Sequence, residues 1–206
     1  MRLVLASNNA GKLAELQALF EPLGVELVRQ AELGIPEADE PHATFIENAL
    51  AKAQHAARLS GGAALADDSG LCVDALGGVP GVRSARYAQD LGDGSGDASN
   101  NAALLRQLAA VGATDAADRQ AAFVCVLVAV RSADDPQPLV AVGRWAGLIL
   151  DAPRGDSGFG YDPLMFIPGL GQAVAEMSAA QKNAQSHRAL AAADLCRQLR
   201  EAWRLG

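Results

Sequence analysis

Short apolar runs, polar turns and stretches of helical spacing follow one another from the start of the chain. Leu3-Val4-Leu5-Ala6 is continuously apolar and predicts a buried strand. Ser7-Asn8-Asn9-Ala10-Gly11-Lys12 interrupts it, and Leu13, Leu16, Phe20 and Leu23 then recur at helical spacing. Val25 to Val28 predicts a second strand. Residues 32–42 hold Glu37, Asp39, Glu40, Pro36 and Pro41 and predict a loop. Thr44 followed by Glu47 is a capping box that opens a helix running to about Leu59. Ser60-Gly61-Gly62 ends it. Asn48 and Lys52 lie one turn apart on that helix, so both are expected to look into a cleft.

Ala63-Ala64-Leu65-Ala66 leads into Asp67-Asp68-Ser69-Gly70 and then Leu71-Cys72-Val73. Adjacent carboxylates between apolar flanks are costly unless they are paired, hydrogen-bonded or metal-bound. On a strand, neighbouring side chains point to opposite faces. One Asp would then face a cleft while the other holds the local backbone. Ser69-Gly70 is expected to turn the chain sharply after the acids.

Leu76-Gly77-Gly78-Val79-Pro80-Gly81 predicts a rigid turn before Ser84-Ala85-Arg86-Tyr87. Asp90 to Ser99, rich in Gly, Asp and Ser, is expected to be a mobile excursion. Asn101 to Val111 predicts a helix with Leu104, Leu105 and Leu108 on one side. Ala121–Arg131 and Leu139–Trp145 predict an antiparallel hairpin, with Leu148–Leu150 one more short strand. Asp156 to Pro163 is a Gly-punctuated loop before the apolar Leu164–Ile167. Ser186-His187-Arg188 opens a last helix with Leu195, Leu199 and Trp203 on one face. The sum is an α/β fold with a mixed sheet and flanking helices, in one domain spanning 1–206.

Composition narrows the function. Hydrophobic residues make up 50% and charged residues 20%, a globular balance. A formal charge of -7 with no extended basic run argues against a nucleic-acid partner. The longest apolar run, Ala121 to Val130, is too short to span a membrane. No signal-peptide pattern opens the chain, and Cys72, Cys125 and Cys196 read as buried thiols in a reducing compartment. A soluble cytoplasmic protein is expected.

Three stretches carry candidate chemistry. A strand–polar loop–helix order at Ser7–Lys12 suits an anion at a helix N-terminus, although the Walker pattern is absent. An ordinary turn with Lys12 in solvent is the competing reading. On the 156–163 loop, an aromatic is either a core plug or a stacking platform for a base. Pro163 biases Asp162 toward an extended conformation. A His187-Arg188 pair at a helix start opposes the helix dipole, so it either meets a ligand or is an exposed polar pair.

Taken in order, Ser7-Asn8-Asn9-Ala10-Gly11-Lys12, Thr44-Phe45-Ile46-Glu47-Asn48-Ala49, Ala66-Asp67-Asp68-Ser69-Gly70-Leu71, Leu76–Gly81 with Ser84-Ala85-Arg86-Tyr87, Gly158-Phe159-Gly160-Tyr161-Asp162-Pro163 and Ser186-His187-Arg188 form a set. That set resembles the inosine/xanthosine triphosphate pyrophosphatase family over nearly the whole chain. The resemblance implies an elongated two-lobed fold around a long twisted mixed sheet, with the active site in the cleft between lobes. It implies a homodimer that uses Mg²⁺ to hydrolyse XTP, ITP and dITP to monophosphate and pyrophosphate. Asp68 would be the general base and a metal ligand, with Glu40 a second metal-site acid. Ser7, Asn8, Asn9, Ala10, Gly11, Lys12, Lys52 and Ser69 would hold the phosphates, with Lys12 also stabilising the transition state. Phe159, Gly160, Tyr161, Asp162, Lys182, His187 and Arg188 would enclose sugar and base, Phe159 stacking on the purine. Asp67 would support the site from behind. Two features depart from the family pattern: the length of the 90–99 segment, and Pro41-His42 after Glu40. A related pyrophosphatase acting on modified pyrimidine triphosphates is the alternative enzyme, and a non-catalytic nucleotide-binding domain the alternative class.

Overall fold

The computed structural model describes residues 1–204, with the side chain of Leu23 left outside that description. The strands are β1 (Arg2–Leu5), β2 (Glu26–Arg29), β3 (Ala64–Val73), β4 (Gln120–Val130), β5 (Leu139–Ile149), β6 (Met165–Ile167) and β7 (Gln172–Ala173). They form one mixed sheet in the order β2-β1-β3-β4-β5-β6-β7. β1 is parallel to both β2 and β3, whereas β6 is antiparallel to both β5 and β7. The chain divides into two compact units, residues 1–68, 125–143 and 186 onward in the first, and 69–124 and 144–185 in the second.

In the first unit the period-2 alternation of strands sorts the core into two layers. Leu3, Leu5, Leu65, Cys125, Leu127 and Ala129 pack with Leu16 and Phe20 of α1 (Ala10–Phe20) and with Ala191, Leu195 and Leu199 of α6 (His187–Trp203). Their neighbours Val4, Ala6, Ala64, Ala66, Val126 and Val128 pack instead with Ala49, Ala53, Ala56 and Ala57 of α2 (Phe45–Ser60). Alanines on α2 let the helix lie close to the sheet. The expected cap is present: the Thr44 hydroxyl accepts the Glu47 N–H and donates to the Glu47 carboxylate at 2.6 Å. Gly61, at φ +67, closes the helix. At the start of α6, Ser186 accepts the Ala189 N–H.

The second unit has its own core, in which Leu71, Val73, Tyr87, Leu104, Leu108, Phe123, Trp145 and Tyr161 meet. Its helices are α3 (Tyr87–Asp90), α4 (Asp97–Ala110) and α5 (Ala179–Gln185). Several expectations are corrected here. No turn follows the acids, because β3 continues through Ser69-Gly70 to Val73. Gly70 serves close approach instead: a Cβ there would lie 2.4 Å from the Gly81 carbonyl oxygen and 2.4 Å from Ser84 Oγ. The 90–99 segment is not one excursion, since Asp90 ends α3 and Asp97 begins α4. Leu148 belongs to β5, which stays continuous because Gly147 admits the Phe166 carbonyl of β6. Cys72 is half-buried, unlike the buried Cys125 and Cys196. The short α5 and β7 lacked any apolar period to announce them.

Candidate active site

The alternation that sorts the core also sorts the two acids. Asp67 shares the face of Leu65 and points to the α1 and α6 layer, while Asp68 shares the face of Ala66 and points to α2. Asp67 is fully buried and receives two cations: Lys12 Nζ lies 2.6 Å from Oδ1 and Arg188 Nε 2.9 Å from Oδ2. The Cys125 thiol donates to the same Oδ2 at 3.3 Å. Burial pushes this carboxyl up, but Lys12 and Arg188 outweigh it and hold it well below the usual range. Arg188, itself 1% exposed, also binds the Glu15 carboxylate. Arg188 thus meets its anions within the protein, which offsets the helix-dipole penalty.

At the start of α1, the Asn9 side chain accepts the Lys12 N–H at 3.0 Å and Ser7 Oγ accepts the Asn9 N–H. The first-turn N–H groups of Ala10 and Gly11 precede any intrahelical acceptor. Asn8, Asn9 and Ala10 are exposed, and Ser7, Gly11 and Lys12 are half-buried. Lys12 is not a solvent lysine, since its ammonium is drawn inward to Asp67.

On the other face, Lys52 Nζ bridges Glu40 Oε1 at 2.7 Å and Asp68 Oδ1 at 2.9 Å. Burial alone would lower the Lys52 ammonium, yet Asp68 and Glu40 hold it above its ordinary value. Burial raises the Asp68 carboxyl, Glu40 adds to the rise, and Lys52 opposes it. Asn48 is not a cleft residue: its amide accepts the His42 N–H and donates to the His42 carbonyl, fixing the loop after Glu40. Pro41-His42 is thereby held in a defined course. Asp68 Oδ2 is buried and has no hydrogen-bond partner among the described residues. An orphaned carboxylate oxygen beside a second acid fits a divalent cation. Among the described residues no three His, Cys, Asp or Glu cluster for a metal. Mg²⁺ does not need such a cage, because it takes one or two carboxylates plus waters and substrate phosphates. Ser69 follows Asp68 on β3 and is half-buried.

The remaining expected residues of the aromatic loop gather in the second unit, whereas His187 and Arg188 belong to the first. Asp162 is 2% exposed; its Oδ2 accepts the Phe159 N–H at 3.0 Å and pairs with Lys182 Nζ at 2.6 Å. The same ammonium sits 4.6 Å from the Phe159 ring centroid. Gly158, at φ +81, leaves room for that carboxylate, which a Cβ would meet at 2.1 Å. Tyr161 takes the core-plug reading: it is 4% exposed and its hydroxyl donates to the Ser84 carbonyl at 2.9 Å. Phe159 is half-buried.

Sequence reasoning passed over Glu15, Cys125, Asp97 and Asn101. Glu15 and Cys125 left no local signal, since only the fold brings them to Arg188 and Asp67. The pair Asn100-Asn101 did leave one: asparagine is a poor helix former, and two together inside α4 ask for buried partners. Asn100 accepts the Ala88 N–H and donates to the Ala85 carbonyl.

Known proteins resemble this chain along almost its whole length. The family model described as the Ham1 family matches residues 3–198. A dITP/XTP pyrophosphatase from Ralstonia nicotianae is 63% identical over 199 residues, covering 97% of this chain and 96% of that protein. One from Burkholderia pseudomallei is 62% identical, covering 97% and 94%. Among solved structures, a HAM1 protein from Coxiella burnetii superposes with a TM-score of 0.88 at 43% identity, covering 98% of this chain and 99% of that one. The Staphylococcus aureus Ham1 protein gives 0.83 at 36% identity, covering 98% and 100%. A chain matched along this length at these identities belongs to the Ham1 family.

Proposed function

We propose that this protein is a nucleoside-triphosphate pyrophosphatase that removes deaminated purine nucleotides, dITP, ITP and XTP, from the nucleotide pool. The observation that carries the reading is the pair of consecutive acids on β3, each held by a different lysine. The names of its relatives support the substrate class. The whole chain would act as one catalytic domain.

Each residue has a part that its surroundings favour. Lys12, Lys52 and Ser69, with the Ser7–Gly11 turn, would neutralise and orient the triphosphate. Asp68, raised by burial, is a stronger base than a solvent carboxylate and would take a proton from the attacking water. The water oxygen bonds to the α-phosphorus, the bridging bond to the β-phosphate breaks, and pyrophosphate leaves. Asp68 and Glu40 would hold Mg²⁺, which when bound supplies positive charge to the phosphate oxygens. Phe159 would stack on the purine, with Gly160, Asp162 and Lys182 beside it and Tyr161 holding the loop from the core; His187 is a further proposed substrate residue, whereas Arg188, buried against Asp67 and Glu15, would hold Asp67 rather than touch the base. Donors in this set would donate to the 6-oxo group of hypoxanthine or xanthine and leave the 6-amino group of adenine unpaired.

The same proposal includes a homodimer working in the cytoplasm. No described helix is long and apolar enough to cross a membrane. The deciding experiment measures pyrophosphate release from ITP, XTP, dITP, ATP, GTP, dTTP and a modified pyrimidine triphosphate, with and without Mg²⁺. Selective, Mg²⁺-dependent turnover of the first three is expected. Equal turnover of ATP and ITP would overturn the substrate assignment.

A further inference from the structure

The aromatic loop is held from outside by two residues that the proposed chemistry does not use. Asp97 and Asn101 stand four positions apart on α4, so their side chains lie on one face. Both bind the same residue of the loop. Asp97 Oδ2 accepts the Gly160 N–H at 2.6 Å, and Asn101 Nδ2 donates to the Gly160 carbonyl at 2.9 Å. Gly160 thus has donor and acceptor both committed to one helix, immediately after Phe159. Its φ of +63 is the left-handed conformation, and nothing lies within 4 Å of the space a Cβ would take. The two hydrogen bonds tie the backbone of Gly160 to α4 beside that open space.

The surroundings point the same way. A cavity of about 450 Å³ is lined by Asn101, Ala102, Leu105, Phe159, Gly160 and Pro163 among others. Fixing the backbone around Phe159 fixes where its Cα–Cβ bond points and so limits the rotamers open to its ring. Asp162 fixes the Phe159 N–H on one side of the ring's residue, and the α4 pair fixes the next peptide unit. α4 is in turn stapled to residues 85–88 through Asn100.

We infer that Asp97 and Asn101 are positioning residues for base recognition: by clamping the Gly160 backbone they set the plane of the Phe159 ring. This inference rests on the reading of Phe159 as the purine platform. The clamp needs an acceptor at 97 and a donor at 101, not a charge. Asp97→Asn therefore keeps the function, since an amide oxygen still accepts the Gly160 N–H, whereas Asp97→Ala and Asn101→Ala lose it.

The test is calorimetric titration of the intact enzyme with IMP and, separately, with inorganic pyrophosphate, which carries no base. Steady-state kinetics on ITP and ATP accompany it. Asp97→Ala and Asn101→Ala are expected to weaken IMP by about three- to tenfold, the scale of one lost hydrogen bond at a partly exposed site. Pyrophosphate affinity stays as in the parent, KM for ITP rises with kcat little changed, and preference for ITP over ATP falls. Asp97→Asn retains IMP binding. Asp97 is exposed, so its variants test the clamp without disturbing the core. Phe159→Ala separates the two levels. If it weakens IMP while Asp97→Ala and Asn101→Ala do not, the clamp is overturned and the platform stands. If Phe159→Ala leaves IMP binding intact, the platform and the clamp built on it both fall. Equal losses for Asp97→Asn and Asp97→Ala would assign Asp97 to the helix dipole instead. A parallel loss of pyrophosphate affinity would mark general damage and reject positioning.

Discussion

Asp67 and Asp68 are consecutive on β3, yet their carboxyls are driven in opposite directions, Asp67 well below the usual range and Asp68 above it. The cause is the face each one takes. Asp67 is fully buried and meets Lys12 and Arg188, two cations that outweigh the cost of burial. Asp68 meets one lysine that it shares with Glu40. The Asp67 carboxyl is thereby held toward its anionic form, and the Asp68 carboxyl is the more readily protonated of the two.

Substitution should separate these roles. Asp68→Asn keeps the shape and removes the base, so hydrolysis of ITP should fall by about 10²–10⁴-fold with the melting curve preserved. Asp67→Asn instead takes the shared anion from half-buried Lys12 and buried Arg188, and should cost about 3 kcal/mol of stability. Activity assays and thermal melts on the two variants check this. An inactive but stable Asp67→Asn would reverse the assignment.

A second prediction concerns the seat of α6. A Cβ at Gly143 would lie 1.9 Å from the His187 carbonyl oxygen and 2.7 Å from the Ala191 nitrogen, both backbone atoms that cannot rotate away. Gly143→Ala should therefore destabilise by about 3 kcal/mol or more, at the upper end of overpacking costs. Denaturant unfolding measures it, and a neutral result would show that α6 shifts freely.

Arg119 is a buried cation that spends its donors on carbonyls: Ile149 at 2.6 Å, Leu150 at 2.6 Å and Ala113 at 3.0 Å. Its planar fork fits three acceptors that a single ammonium does not reach together. Arg119→Lys should cost about 2–3 kcal/mol despite keeping the charge, because hydrogen bonds to charged groups are individually strong. Urea melts of the two proteins give the comparison.

The link between β4 and β5 carries a pH dependence. Asp135 accepts the Arg131 N–H at 2.8 Å and the Gln137 N–H at 2.9 Å. Burial pushes the carboxyl up, but these two donors outweigh it and lower it below its ordinary value. The folded state then binds the proton less readily than the unfolded chain, so stability rises with pH in this window. The contribution is complete above the unfolded value of about 3.9 and is lost as pH falls through the lower folded one. Asp135→Asn should be the less stable protein at pH 6, with the gap closing on acidification. A gap that is constant between pH 6 and pH 2 would exclude the linkage.

Much of this was legible along the chain because it is local. The Thr44–Glu47 cap, the Gly61 stop, the strand at Leu3–Leu5 and the opening of α6 at Ser186 are each set by residues within a few positions. The expected turn at Ser69-Gly70 failed for a non-local reason: Gly70 is glycine because the chain at Gly81 and Ser84 passes against it. The 90–99 segment misled because Gly and Ser suggest a loop, whereas Asp97 finds in Gly160 a partner far along the chain.

The sequence by itself determined the alternation of β3, and with it that Asp67 and Asp68 must face apart. It also determined the polar turn before α1 and the family to which the ordered motifs point. Only the tertiary structure decided which cation each acid would meet, because Lys12, Lys52 and Arg188 reach them from three different helices. The choice was made by packing: α1 and α6 cover one face of β3 and α2 the other, so the parity of a residue number became a difference in chemistry.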